Sequence, residues 1–101
     1  MKLSFEFDRV SGNGDIKEKI AGKFAALEKY LVHVREDFHK GLVRIIRGER
    51  FGYKVRVDVD LPGKKVVAEG RAETLLDAVD EAYQKTARII RKYLEKLKER
   101  N

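Results

Sequence analysis

Leu3, Phe5 and Phe7 alternate with Lys2, Ser4, Glu6 and Asp8, the two-residue period of a strand buried on one face. Ser11-Gly12-Asn13-Gly14 breaks that pattern. Beyond it Ile16, Ile20, Phe24, Leu27 and Leu31 recur every three or four residues, which predicts a helix reaching about Leu31. Asp15, with Glu18 three residues later, forms a capping-box pattern at its start, Asp standing in for Ser or Thr. The polar stretch from Val32 to Lys40 reads as a loop. Leu42 to Arg47 is β-prone, and Gly48-Glu49-Arg50-Phe51-Gly52 makes a turn. The period then returns to two, with Tyr53, Val55, Val57, Val59 and Leu61 on one face and Lys54, Arg56, Asp58 and Asp60 on the other. Pro62-Gly63 suits a type II turn before another strand, Lys65 to Ala72. Last comes a long amphipathic helix. Leu75, Val79, Ala82, Tyr83, Thr86, Ile90, Leu94 and Leu97 fall in one narrow stripe, and Thr74 with Asp77 repeats the capping pattern.

The element order is therefore β-α-β-β-β-α. A four-stranded sheet with alternating faces needs a cover on one side only, and two amphipathic helices supply it. The expected class is α+β in two layers, with both helices packed on one face of the sheet. No repeat, linker or low-complexity segment interrupts the chain, so residues 1–101 are expected to form a single domain.

Composition changes this picture mainly through charge. Apolar residues make up 43% of the 101, enough for a real core, but charged residues make up 40% and the net charge is +6. The second half of the last helix carries much of the excess: Lys85, Arg88, Arg91, Lys92, Lys96 and Lys98 lie beside or opposite its apolar stripe. Bases at a helix carboxyl end and acids such as Asp77, Asp80 and Glu81 in the first turns suit the helix dipole. The positive excess goes further and points to a polyanion partner. High Lys, Arg and Glu with no Cys, one Met and one Pro also fit a heat-adapted protein, which accounts for charge density but not its sign.

Catalytic chemistry finds little support. Without cysteine there is no disulfide framework, thiolate metal site or cysteine nucleophile. His33 and His39 stand in a polar loop without metal-site partners. Asp58 and Asp60 share a strand face with Lys54 and Arg56, and an exposed face explains them better than paired catalytic carboxylates. Ser4, Ser11 and Thr74 have no base at a justified spacing, and Gly12 and Gly14 are followed by no Gly-Lys-Ser/Thr. No catalytic residue, cofactor, metal or small-molecule substrate is expected. No run of 18 apolar residues and no signal-like amino terminus occurs, so the expectation is a cytoplasmic protein with no membrane partner.

Lys23-Phe24-Ala25-Ala26-Leu27-Glu28-Lys29-Tyr30-Leu31 resembles the first-helix signature of the ribosome hibernation-promoting factor and ribosome-associated inhibitor A (sigma-54 modulation protein) family. Asp77-Ala78-Val79-Asp80, Lys85-Thr86-Ala87-Arg88, Lys92 and Lys96-Leu97-Lys98 resemble its closing helix, and the element order is also the family's. The resemblance covers essentially the whole chain. It implies a non-enzymatic protein that binds the small ribosomal subunit and its rRNA in the channel used by mRNA and tRNA, blocks initiation and protects idle ribosomes. Lys23, Lys29, Lys85, Arg88, Lys92, Lys96 and Lys98 fall on family basic positions thought to face rRNA. Ala26, Leu76 and Thr74 depart from the family's usual Lys, Tyr and Asp. The chain resembles the short form, without the second, dimerising domain of long members.

The residues themselves support an RNA surface through Lys19, Lys23, Lys29, Lys85, Arg88, Arg91, Lys92, Lys96 and Lys98. If the flank of the first helix bearing Lys19, Lys23 and Tyr30 adjoins the flank of the last bearing Lys85, Lys92 and Lys96, they build a basic ridge. Such a ridge neutralises phosphates and releases counterions. In most proteins a basic terminal helix is simply a solvated face. The pattern also admits a double-stranded-RNA-type module, whose α-β-β-β-α order resembles residues 15–98, and a protein-interaction domain using the sheet. Arg44, Arg47 and Arg50 with Phe51 and Tyr53 suggest a second contact loop, though an ordinary charged hairpin accounts for them as well.

Overall fold

Alternation along β1 (Lys2–Asp8) turns Leu3, Phe5 and Phe7 inward and leaves Lys2, Ser4, Glu6 and Asp8 exposed. The same two-residue logic builds β2 (Lys40–Arg47), β3 (Tyr53–Leu61) and β4 (Lys64–Ala72), which join β1 in one sheet of order β1-β2-β3-β4. The computed structural model describes residues 1–10, 14–48, 50 and 52–99, and the side chains of all of these but Glu36 and Glu99. Of the two expected glycine turns, Ser11, Gly12, Asn13, Glu49 and Phe51 lie outside the described residues, so the contact-loop role considered for Phe51 does too.

α1 (Gly14–Phe24) carries the chain back to the same end of the sheet, so β1 and β2 run parallel. The remaining pairs are antiparallel. Cross-strand register aligns Phe5, Val43, Val57 and Ala68 in one row, and Phe7, Ile45, Val55 and Gly70 in the next. Both rows face the helices. The second ends in glycine because α2 (Leu75–Glu99) comes down there: a Cβ on Gly70 would fall within 2.5 Å of Ala82 N and closer still to the Ala78 carbonyl.

α2 covers β3 and β4, while α1 lies against β1. Ala78, Val79, Ala82, Thr86, Ala87 and Ile90 of α2 are buried. They meet Ile20, Phe24, Leu27 and Leu31 over the sheet in one core. Thr86 satisfies its buried hydroxyl by donating to the Ala82 carbonyl at 2.7 Å. The expected cap at Thr74 is present, its Oγ1 accepting from the Asp77 amide at 3.2 Å. Gly63 takes φ +75°, as the third position of a type II turn requires.

Two local expectations need correction. The first helix starts at Gly14, so Asp15 lies inside its first turn, where it suits the positive end of the dipole, rather than capping it. It also stops being α-helical at Phe24 and tightens into a 3-10 helix, Ala25–Tyr30. Three-residue winding stacks Leu27 and Tyr30 beneath Phe24, and Leu31 closes the turn with its amide donating to the Glu28 carbonyl. The expected loop after it holds one further 3-10 turn, Glu36–Phe38.

Candidate nucleic-acid interface

The two basic helices meet along a seam that begins at Lys23. Its ammonium pairs with Asp80 at 2.5 Å and lies 5.3 Å from the centre of the Tyr83 ring, which Phe24 contacts edge-on. Asp80 is held below the usual aspartate range by that hydrogen bond and by the lysine charge. Further along, Tyr30 becomes the meeting point. Lys29 lies 5.0 Å and Arg91 5.9 Å from its ring centre, one cation from each helical segment. Lys98, seven residues and so about two turns beyond Arg91, lines a groove with Lys29, Tyr30 and Arg91. Lys19 is exposed on the α1 flank that carries Lys23.

The remaining candidates sit elsewhere on α2, which corrects the picture of one ridge formed by Lys85, Lys92 and Lys96 against α1. Lys85 hydrogen-bonds the Glu69 carbonyl and Glu81, both at 3.0 Å, on the flank facing β4. Helical periodicity carries Lys92 and Lys96 along that same flank, since they follow Lys85 by seven and eleven residues. Arg88, exposed, joins Lys85 in lining a shallow depression over Val67, Ala68 and Glu69 of β4. The basic half of α2 is therefore a wrap of charge, of which Arg91 and Lys98 face α1 and the 3-10 helix. The lysine bonds also leave a mark on Glu81, whose pKa is lowered first by Lys85 and then by the Arg71 amide.

The Lys23–Asp80 pair between helices and the two cations over Tyr30 are the features that periodicity missed. Lys23 and Asp80 belong to different helices, and a stripe analysis of each helix alone carries no signal for their contact. Of the side chains considered for a second contact loop, Arg47 and Tyr53 come together and Arg44 stands apart from them. Arg44 pairs with Glu6 at 2.9 Å on the uncovered sheet face, whereas Arg47 lies over Tyr53, 5.5 Å from its ring centre.

Neither histidine is placed as a ligand, and no cluster of three or more metal-binding side chains occurs among the described residues. His39 instead ties the chain together. Its Nε2 donates to the carbonyls of Leu31 and Val34, each at 2.9 Å, and its Nδ1 lies 2.9 Å from Glu28. Glu28 also receives the Met1 ammonium, the largest of the influences that lower its pKa.

Residues 3–98 match the family model described as Sigma 54 modulation protein / S30EA ribosomal protein. The chain belongs to this family. No curated protein sequence matches it significantly. Among solved structures, the fold is similar to the Protein Y N-terminal domain of Thermus thermophilus: 21% identity and TM-score 0.77, covering 92% of this chain and 99% of that one. It is also similar to a ribosomal subunit interface protein from Coxiella burnetii: 17% identity and TM-score 0.70, covering 94% and 99%. At these identities the likeness carries the fold. Family membership makes the chain a ribosome-associated factor, in a family not known for enzymes. No helix among the described residues is long and apolar enough to cross a membrane.

Proposed function

We propose that residues 1–101 act as one ribosome-binding domain. It enters the mRNA and tRNA channel of the small subunit, contacts rRNA through the basic helix faces, and holds the ribosome inactive in the cytoplasm. Family membership supplies the ribosome. The observation that supports the contact surface is the convergence of Lys29 and Arg91 on Tyr30, with Lys98 beside them, which joins two helical segments into one cationic seam. Lys19 and Lys23 extend the seam at one end. Lys85, Arg88, Lys92 and Lys96 continue it around α2.

A surface of this kind follows phosphates and shape rather than sequence, which suits structured rRNA. The uncovered sheet face does not compete for that role. At its centre three cations are matched in place, Arg44 by Glu6, Lys54 by Glu69 at 3.3 Å and Arg56 by Asp58 at 3.5 Å. Nor does it carry the aromatic platform on which single strands stack.

The test is co-sedimentation with purified small subunits at two salt concentrations, with and without initiator tRNA. Stoichiometric pelleting that weakens with salt and is displaced by initiator tRNA is the expected result. A protein left in the supernatant at low salt sinks the proposal. Tight binding to a plain RNA duplex without ribosomes would assign the surface to general duplex recognition instead.

A further inference from the structure

A groove of about 690 Å³ opens between residues 30–35 and the last turns of α2. Val34, Tyr93 and Leu94 pack against the core at its floor, so the groove continues the hydrophobic interior outward. Val32 and Leu97 stand in it 69% and 40% exposed. Three cations surround them, Lys29, Arg91 and Lys98, none paired with a carboxylate among the described residues. Glu95 is the acid in the lining, and Arg35 beside it is shared with Asp37 at 3.0 Å.

A solvated basic face accounts for the cations but leaves the aliphatic residues between them without a purpose. Single exposed apolar residues are ordinary. Here they lie in a concavity that opens onto the core, the usual form of a binding groove. We propose that this groove docks an acidic peptide segment of a protein partner. One apolar side chain of the segment enters between Val32 and Leu97, and its carboxylates meet Lys29, Arg91 and Lys98.

Charge complementarity selects this occupant. A second copy of the chain would bring the same cations against each other. An RNA strand would satisfy the rim yet set sugars and phosphates on Val32 and Leu97. An acidic segment with an apolar anchor uses both halves of the site, in the groove-docking mode common to short peptides. The inference does not depend on ribosome binding, but it shares three cations with the proposed RNA seam. The peptide and rRNA therefore compete for this end of the molecule.

The experiment is an NMR titration of the isolated labelled protein with a synthetic peptide of about twelve residues, aspartates and glutamates carrying two leucines and one phenylalanine. Controls are an all-acidic peptide of equal charge and a short single-stranded RNA. The anchored peptide should shift resonances of residues 30–35 and 91–98. Val32→Ser with Leu97→Ser, both at exposed positions, should weaken it by at least about tenfold while leaving the rest of the spectrum in place. Equal binding of the all-acidic peptide, or indifference to the double substitution, overturns the proposal. So does stronger perturbation of the same residues by the RNA, which would hand the groove to nucleic acid. Because no ribosome is present, failure here leaves the ribosome proposal standing.

Discussion

Lys23 and Asp80 form the ion pair that joins α1 to α2, with the ammonium 2.5 Å from the carboxylate. Both partners are partly exposed, so the pair adds little to stability. Its larger consequence is electrostatic, because it cancels a cation at the α1 end of the basic seam. Asp80→Asn should therefore leave the melting temperature nearly unchanged and strengthen small-subunit binding. The log-log salt dependence should steepen by up to about one, the value of one added phosphate contact. An unchanged slope would place Lys23 away from RNA.

β1, β3 and α2 were legible in the sequence because each carries one dominant period and a stripe of apolar residues long enough to read. Tyr53 to Leu61 and Leu75 to Leu97 show this most plainly. The end of α1 was not. Ile20, Phe24, Leu27 and Leu31 sit at spacings of three and four, which an α-helix and a 3-10 helix accommodate equally well over so short a run. At the site, the basic residue types were visible but their grouping was not. Only tertiary packing puts Lys29 and Arg91 on one tyrosine, and sends Lys85 to the opposite flank.

Gly70 is a packing constraint with a clear test. Its missing Cβ lets the α2 backbone rest on β4 at Ala78 and Ala82. Gly70→Ala must push helix and strand apart, a backbone clash that side-chain repacking cannot relieve. A loss of at least the roughly 1–3 kcal/mol of an overpacked core is expected in urea unfolding. Gly22→Ala, where an added Cβ meets nothing within 4 Å, should be neutral or stabilising.

Glu28 makes stability depend on acid. The Met1 ammonium, opposed by partial desolvation and aided by His39, holds its carboxyl below the ordinary 4.5. A carboxylate depressed in the folded state stabilises above its unfolded value, and the contribution is lost as pH falls through the lower folded value. Wild type should therefore melt above Glu28→Gln at about pH 6, with the gap closing as pH drops below 4.5. A gap that persists into strong acid would mean the side chain acts by packing rather than charge.

Lys92→Glu with Lys96→Glu asks whether the basic wrap of α2 touches the ribosome or merely attracts it. Both side chains are exposed and neither forms an ion pair among the described residues, so reversing them should leave the fold intact. Net charge falls by four, from +6 to +2. Small-subunit pelleting should be abolished. A control separates contact from long-range steering, which also tracks net charge. Lys2→Glu with Lys40→Glu makes the same change at a register pair on the uncovered sheet face, and replaces one like-charge pair by another. Pelleting should survive in that variant, with at most a slower approach at low salt. Equal loss in both variants would reduce the role of α2 to bulk attraction. Retention in both would remove Lys92 and Lys96 from the interface and leave the Lys29–Arg91 seam to carry it.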